Sequence, residues 1–394
     1  MAKKLIQAWH RTDSGWQSRG RTTRSVSSRS SLVGGSYIPD ASTTGPTVSS
    51  WTNQEANSAG VISLTTANLV CTNTTHWGEV RHQAPGISHN NCRFAGPDLN
   101  LVYAGTYGSS GAGTLVKSYG SGYYHWIAEN CLFDPNLWID ERGRTAMTDA
   151  TFIAIDAIDG GDCELRWCQI RNIVDGLHFF HAENISDSGN TGWSTGITAS
   201  ASTRFAVVDR CFIEKSVYVA GDTYRARPGA QSDGRPHCDG AQIMQGANLW
   251  ITGSMIGGVR DSVGYTTWPN TGNPGNTGND YANACLMIKQ EGTYSSGDVH
   301  WLTNILIENN FLEGGSATVN SAVNSGNDLS GVTVRNNKFF ARQYGWGLNV
   351  DTNGTPTSSH SGYGWQVAMS GTPVPSWSGN TVYETGVTIP FVMG

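Results

Sequence analysis

Charge is scarce in this chain. Asp, Glu, Lys and Arg make up 14% of its 394 residues, well below the usual proportion of roughly a quarter. Helix-forming runs are missing too: Ala, Leu, Glu and Lys nowhere gather with a 3.6-residue period over a dozen positions. No apolar segment approaches the ~20 residues that a membrane-spanning helix requires, so no membrane span is expected. Lys3 and Lys4 are followed by no apolar run, which excludes the pattern of a secretory signal and predicts a reducing compartment. Eight cysteines are present without one CxxC pair, Cys163 and Cys168 being the closest, so no zinc site is expected. No Pro/Ser-rich linker divides the middle of the chain, although its length exceeds what one ordinary core fills.

What is abundant is Gly, with 49 residues, together with Asn, Ser, Thr and scattered Trp and Tyr. The segment HCDGAQIMQGANLWITGSMIG (237–257) is the organising sentence: two short β-forming runs with a Gly-bearing corner between them. A small polar residue, a variable residue and then an apolar one recur along the chain. Examples are NNCRF (90–94), ENCLF (129–133), DRCFI (209–213), ENNFL (308–312) and RNNKF (335–339). Alignment places Cys92, Cys131, Cys168, Cys211, Ser254, Asn310, Asn337 and Asn380 in one column, at intervals of 27 to 56 residues. Repetition at this scale marks a solenoid whose loops vary in length. The fold class expected is all-β, a single-stranded right-handed parallel β-helix over residues 37–394, preceded by a basic arm over residues 1–36. Stacked strands would make the column a buried ladder, in which Asn passes hydrogen bonds and thiols fill volume; redox or metal roles for the thiols are the alternative.

The arm carries Lys3, Lys4, Arg11, Arg19, Arg21, Arg24 and Arg29 against Asp13 alone, on a chain whose net charge is −6. This imbalance predicts docking onto another component, with a disordered tail as the alternative. The aromatic, Gly-rich end of the chain, with Tyr344, Trp346, Tyr363 and Trp365, is expected to cap the last turns.

Functional residues are expected along one strip. Levelling FIAID (152–156), LHFFH (177–181), AQIMQ (241–245) and LMIK (286–289) puts Asp156, His181, Gln245 and Lys289 in one file, with His178 and Gln242 in a second. His237 and Asp239 flank Cys238, so an extended backbone points both to one face, where a carboxylate tunes an imidazole base. His237, Asp239 and Lys289 are therefore the catalytic candidates, and Asp156, Asp175, His178, His181, Gln242 and Gln245 the substrate-binding ones. Hydrolysis needs two carboxylates, for which Asp156 with Asp175 or Asp239 are the candidates. The opposing reading makes Asp159-Gly160, Asp175-Gly176 and Asp239-Gly240 corner dipeptides, with Gly at positive φ. Tyr123, Tyr124, Trp126, Trp193, Tyr224, Tyr265, Trp268 and Tyr294 either stack on sugars or pack loops against the body. No metal or other cofactor is expected, with calcium left open.

Four stretches carry a family likeness: PDASTTG (39–45), HCDGAQ (237–242), IKQEG through ILIENNFLEGG (288–315), and VTVRNNKF with SWSGNTVYETG (332–386). They resemble the right-handed β-helices of the pectate-lyase-like superfamily, most closely a branch in actinobacterial secreted proteins and in tail proteins of phages infecting those bacteria. The resemblance implies a virion protein that binds, and in some relatives degrades, host-surface polysaccharide, with other virion proteins as partners. Tail spikes of this fold are often homotrimers, although no coiled coil is evident here. The alternatives are a non-catalytic virion decoration or fibre, and a secreted polysaccharide lyase or glycoside hydrolase. The paired aspartates, Gly-His-Gly turn and Arg-Ile-Lys box of the polygalacturonase-like hydrolases do not occur in order in this chain.

Overall fold

The structure, a computed structural model, describes residues 7–12, 15–20, 38–103, 113–118, 124–145, 154–160, 163–180, 206–214, 238–258, 282–288, 302–313, 317–320, 329–340, 375–383, 385–389 and 391. It is nearly all β and is organised as three parallel sheets. Sheet 1 starts at Thr52–Glu55 and Thr74–Trp77 and ends at Thr381–Val382. Sheet 2 starts at Val61–Leu64 and Glu79–His82 and ends at Ala317–Asn320. Sheet 3 starts at Val70–Thr72 and Ile87–Asn90 and ends at Ser376–Ser378. The chain visits the sheets in turn, so each strand pairs in parallel with the strands one circuit earlier and later. Cys238–Thr252 is long enough to serve sheets 2 and 3 in succession.

The core follows from the register. In sheet 2 one inward file runs Ile62, Val80, Val116, Ile158, Leu177, Ala241, Leu286 and Val319, each opposite the next. Sheet 1 contributes Phe94, Phe133, Ile170, Ile213, Ile256, Leu312, Phe339 and Val382 in the same way. All of these side chains are buried. Strands of two to four residues, too short to bury anything alone, are stabilised because their apolar faces meet in one continuous interior.

The expected column exists. The backbone amides of Ser254, Asn310 and Asn337 donate to Asn310 Oδ1 at 3.0 Å, Asn337 Oδ1 at 2.9 Å and Asn380 Oδ1 at 3.0 Å. Below them the Cys211 amide donates to Ser254 Oγ at 3.0 Å, and the Cys92 amide to Cys131 Sγ at 3.4 Å. Each member is preceded by a residue at positive φ: Asn91, Asn130, Trp167, Arg210, Gly253, Asn309, Asn336 and Gly379. That left-handed residue turns the chain from sheet 3 into sheet 1, which is why Asn and Gly are so frequent there. Burial pushes the Cys131 and Cys211 thiols well above their ordinary pKa. Cys92, through its hydrogen bond with Cys131, and Cys168, whose burial is outweighed by its hydrogen bonds with Cys131 and Cys211, are lowered, so opposite tendencies alternate up the column. All four are buried and none forms a disulfide.

The corner reading is overturned for Asp175-Gly176 and Asp239-Gly240. Asp159-Gly160, Asp175-Gly176 and Asp239-Gly240 all lie inside sheet 2 strands, Ala154–Gly160, Ile173–Phe180 and Cys238–Thr252. Gly176 and Gly240 answer to close approach instead, a Cβ at Gly176 standing 2.5 Å from the Gly240 carbonyl oxygen, whereas Gly160, the last residue of its strand, has the expected positive φ of 129°. Within the N-terminal arm, Gln7–Thr12 and Gly15–Gly20 pair as an antiparallel hairpin that places Arg11 opposite Trp16 and Arg19 opposite Ala8. Lys3, Lys4, Arg21, Arg24 and Arg29 lie outside the described residues, as do Tyr344, Trp346, Tyr363 and Trp365.

Candidate functional site

The outward face of sheet 2 carries a polar file. Register places Arg81 opposite Lys117, Lys117 opposite Asp159, Asp159 opposite His178, and His178 opposite Gln242. Alternation along each strand sends these side chains away from the Val80, Val116, Ile158, Leu177 and Ala241 file. Parallel strands lie ~4.8 Å apart, so consecutive members of such a file are direct neighbours.

At its centre, His178 Nδ1 lies 3.7 Å from Asp156 Oδ1 and 3.8 Å from Asp159 Oδ1. Thr114 Oγ1 donates to Asp156 Oδ2 at 3.2 Å. Burial, with the neighbouring Asp159 charge second, lifts the Asp156 carboxyl well above the ordinary carboxylate range. Burial also lifts Asp159 to about 7, against the opposing pull of Lys117. Desolvation lowers His178 to about 3, so its imidazole is neutral near pH 7. Two carboxyls beside one neutral imidazole thus hold a proton at neutral pH, the state required of a general acid. On one flank Glu79, raised by burial, pairs with Arg81 at 2.5 Å. On the other, Gln242 Nε2 donates to Asp239 Oδ2 at 2.8 Å, and Asp239 is buried.

The structure therefore brings together Asp156, His178, Gln242 and Asp239 from the sequence-based set. It separates one predicted alignment: Asp156 stands opposite Asp175, not level with His181 and Gln245, and Gln245 stands opposite Phe180. A register shift between Phe179 and Phe180 sets Phe180 opposite Gln245, one residue beyond the partner that the apolar pattern assigns it. Of Asp175 and Gln245 only the backbone is described, and His181, His237 and Lys289 lie outside the described residues. Asp159 and Lys117 were missed. Asp159 was hidden in a dipeptide that resembles a turn, and Lys117 sits on a strand of three residues, too short for a periodicity signal. Among the aromatic candidates, Trp126 is buried with its ring stacked on His82 at 4.4 Å, whereas Tyr124 is exposed; Tyr123, Trp193, Tyr224, Tyr265, Trp268 and Tyr294 lie outside the described residues.

Compared with protein-family models, curated proteins and solved structures, the chain matches none. Among the described residues, no helix is long and apolar enough to cross a membrane.

Proposed function

We propose that the three-sheet circuit winds as a right-handed parallel β-helix of the pectate-lyase-like kind, and that it binds and hydrolyses an acidic polysaccharide on the outer face of sheet 2. The observation that carries this reading is the Asp156–His178–Asp159 cluster within a file of polar side chains. A shallow polar strip along stacked strands suits a polymer, which contacts several rungs at once. The Asp156–Asp159 pair is suited to protonate the glycosidic oxygen with one carboxyl while the ionised partner activates water or attacks the anomeric carbon. His178, neutral and beside both, positions the pair. Lys117 and Arg81 supply positive charge next to it, where a uronate carboxylate would sit.

The biological setting proposed is a phage particle, the chain acting as a tail-associated protein on an actinobacterial surface glycan. This rests on the sequence likeness over residues 37–386, with the basic hairpin of the arm as the element that docks onto other virion proteins. The reading is tested by incubating the full chain with host-surface polysaccharide and following new reducing ends alongside unsaturated uronate products. Reducing ends without unsaturation, lost in Asp156→Asn and Asp159→Asn, are the expected result. Unsaturated products would replace hydrolysis with elimination. Binding without cleavage would assign a non-catalytic adhesin, and neither binding nor cleavage would remove the glycan reading.

A further inference from the structure

One layer of the interior departs from the apolar rule. The circuit formed by Thr74–Trp77, Glu79–His82 and Ile87–Asn90 places a histidine on the inner face of each sheet: His76 in sheet 1, His82 in sheet 2 and His89 in sheet 3. All three are almost completely buried. Their register partners within each file include Phe94 above His76, Leu64 below His82 and Ala128 above His89. Aliphatic side chains at these positions would continue the core, so three imidazoles require a reason of their own.

The imidazoles are wired together. Gln54 Oε1 lies 2.8 Å from His76 Nδ1, His76 Nε2 lies 3.2 Å from His89 Nδ1, and His89 Nε2 lies 2.8 Å from His82 Nε2. The wire ends at His82 Nδ1, which is buried without a hydrogen-bond partner among the described residues. Cys71 stands directly below His89 in the register of sheet 3. Its sulfur and one ring nitrogen each of His76 and His89 all lie within 4.8 Å of one another. The Cys92 thiol interacts with both His76 and His89 as well.

We propose that this layer is a binding site for a zinc-class divalent ion, held by Cys71 Sγ, His76 Nε2 and His89 Nδ1. Two metal–nitrogen bonds of ~2.0 Å at the tetrahedral angle put their nitrogens about 3.3 Å apart, and the His76–His89 separation is 3.2 Å. Thiolate and imidazole donors in a closed, water-poor site select a borderline-soft ion over calcium or magnesium. The outer contacts fit the same assignment. A Gln54 carbonyl oxygen accepting from His76 Nδ1–H leaves the Nε2 lone pair facing the ion, as an oriented metal ligand requires. His89 presents Nδ1 only as its Nε2–H tautomer, which then donates to His82 Nε2. The hydrogen that His82 carried on Nε2 is accommodated on its vacant Nδ1. The imidazoles therefore keep their proton count, and binding releases one proton to solvent for each thiol ligated.

The test uses the full chain and metal alone. Protein purified from zinc-supplemented cells is expected to hold about one equivalent of zinc, and chelation is expected to lower its melting temperature. Cobalt added to the stripped protein is expected to give thiolate charge-transfer and tetrahedral ligand-field bands; Cys71→Ser should weaken the charge-transfer band, and Cys168→Ser should leave it intact. Comparing stripped and reloaded wild-type protein needs no variant, so misfolding of Cys71→Ser does not blunt the test. Cobalt binding without a thiolate band would overturn the ligand set. Substoichiometric zinc together with chelator-insensitive melting would overturn the site.

Discussion

His178 Nδ1 stands between two carboxyls, 3.7 Å from Asp156 and 3.8 Å from Asp159, although the three residues come from two strands of different circuits. If this cluster performs the acid–base chemistry proposed for it, Asp156→Asn and Asp159→Asn should each lower kcat by roughly 100- to 10,000-fold, the range for a lost general acid or base. His178→Gln, which keeps a neutral donor beside the pair, should lower kcat less and shift the pH optimum. Steady-state rates of all three on the same glycan provide the check, and wild-type rates in the two Asn variants would remove the assignment.

Activity should fall as pH rises through about 7. Asp159 is raised to about 7 by burial, and burial lifts Asp156 well above the ordinary carboxylate range, so the proton needed by the leaving group is lost on the alkaline side. A kcat/KM profile with an alkaline limb near pH 7 is expected, and a flat profile from pH 6 to 9 would contradict it.

Stability should carry the same signature. The folded pKa of Asp159 lies above its unfolded value of about 3.8, so folding favours the protonated form. Its contribution is complete below pH 4 and is lost as pH rises through about 7, by at most about 4 kcal/mol at 1.36 kcal/mol per pKa unit. His178 works the other way: its folded pKa is depressed to about 3, so its contribution is present above pH 6.5 and lost toward pH 3. Wild type alone would mix the two trends. The difference between wild type and Asp159→Asn, from denaturant unfolding at pH 4, 5.5 and 7, isolates the carboxyl. That difference should move against the wild type with increasing pH.

Much of the architecture was legible because its signals are local. A small residue after a left-handed corner recurs wherever sheet 3 hands over to sheet 1, the corner being Asn or Gly except at Trp167 and Arg210, and the column from Cys92 to Asn380 followed from it. The site was only half legible. His178 opposite Gln242 was readable from aligned apolar runs. Asp156, however, pairs with Asp175, six residues before His181, because Ala154–Gly160 offers a second apolar run, at Ala157 and Ile158, that pairs with Leu177 instead. The register shift between Phe179 and Phe180 is invisible to periodicity. The histidine layer left a trace that alternation could have revealed: His82 lies two residues after Val80 and His89 two after Ile87, each on the inward side of its strand. No pattern within one strand shows that three such residues share a layer, because their meeting depends on the loops between them.

Close packing beneath the site makes two glycines intolerant. A Cβ at Gly176 would stand 2.5 Å from the Gly240 carbonyl oxygen, and one at Gly240 would stand 2.7 Å from the Cys285 carbonyl oxygen. Both obstacles are backbone, so relief requires the strands themselves to separate. Gly176→Ala and Gly240→Ala should each cost about 1–3 kcal/mol, measurable as a lower denaturant midpoint. Gly143→Ala is the useful comparison: its Cβ would meet nothing within 4 Å, although its positive φ adds a conformational penalty.

The polar column makes the sharpest stability prediction. Asn337 Oδ1 accepts from the Asn310 backbone amide at 2.9 Å and from Asn310 Nδ2 at 3.1 Å. Asn337 Nδ2 donates to the Ile307 carbonyl at 3.0 Å and to Asn380 Oδ1 at 3.0 Å. Its side chain is wholly buried, so no water replaces these partners when it is removed. Asn337→Ala strands donors on one side and acceptors on the other, and at ~1–3 kcal/mol for each buried unsatisfied group it should destabilise by roughly 2–4 kcal/mol. Asn337→Asp keeps the shape and the acceptor but loses the amide donor to Ile307 and Asn380, and its carboxyl must stay protonated when buried. Its loss should therefore grow as pH rises from 4 to 8, whereas that of Asn337→Ala should not change. Equal costs for the two variants at every pH would mean that the column fills space without transmitting hydrogen bonds.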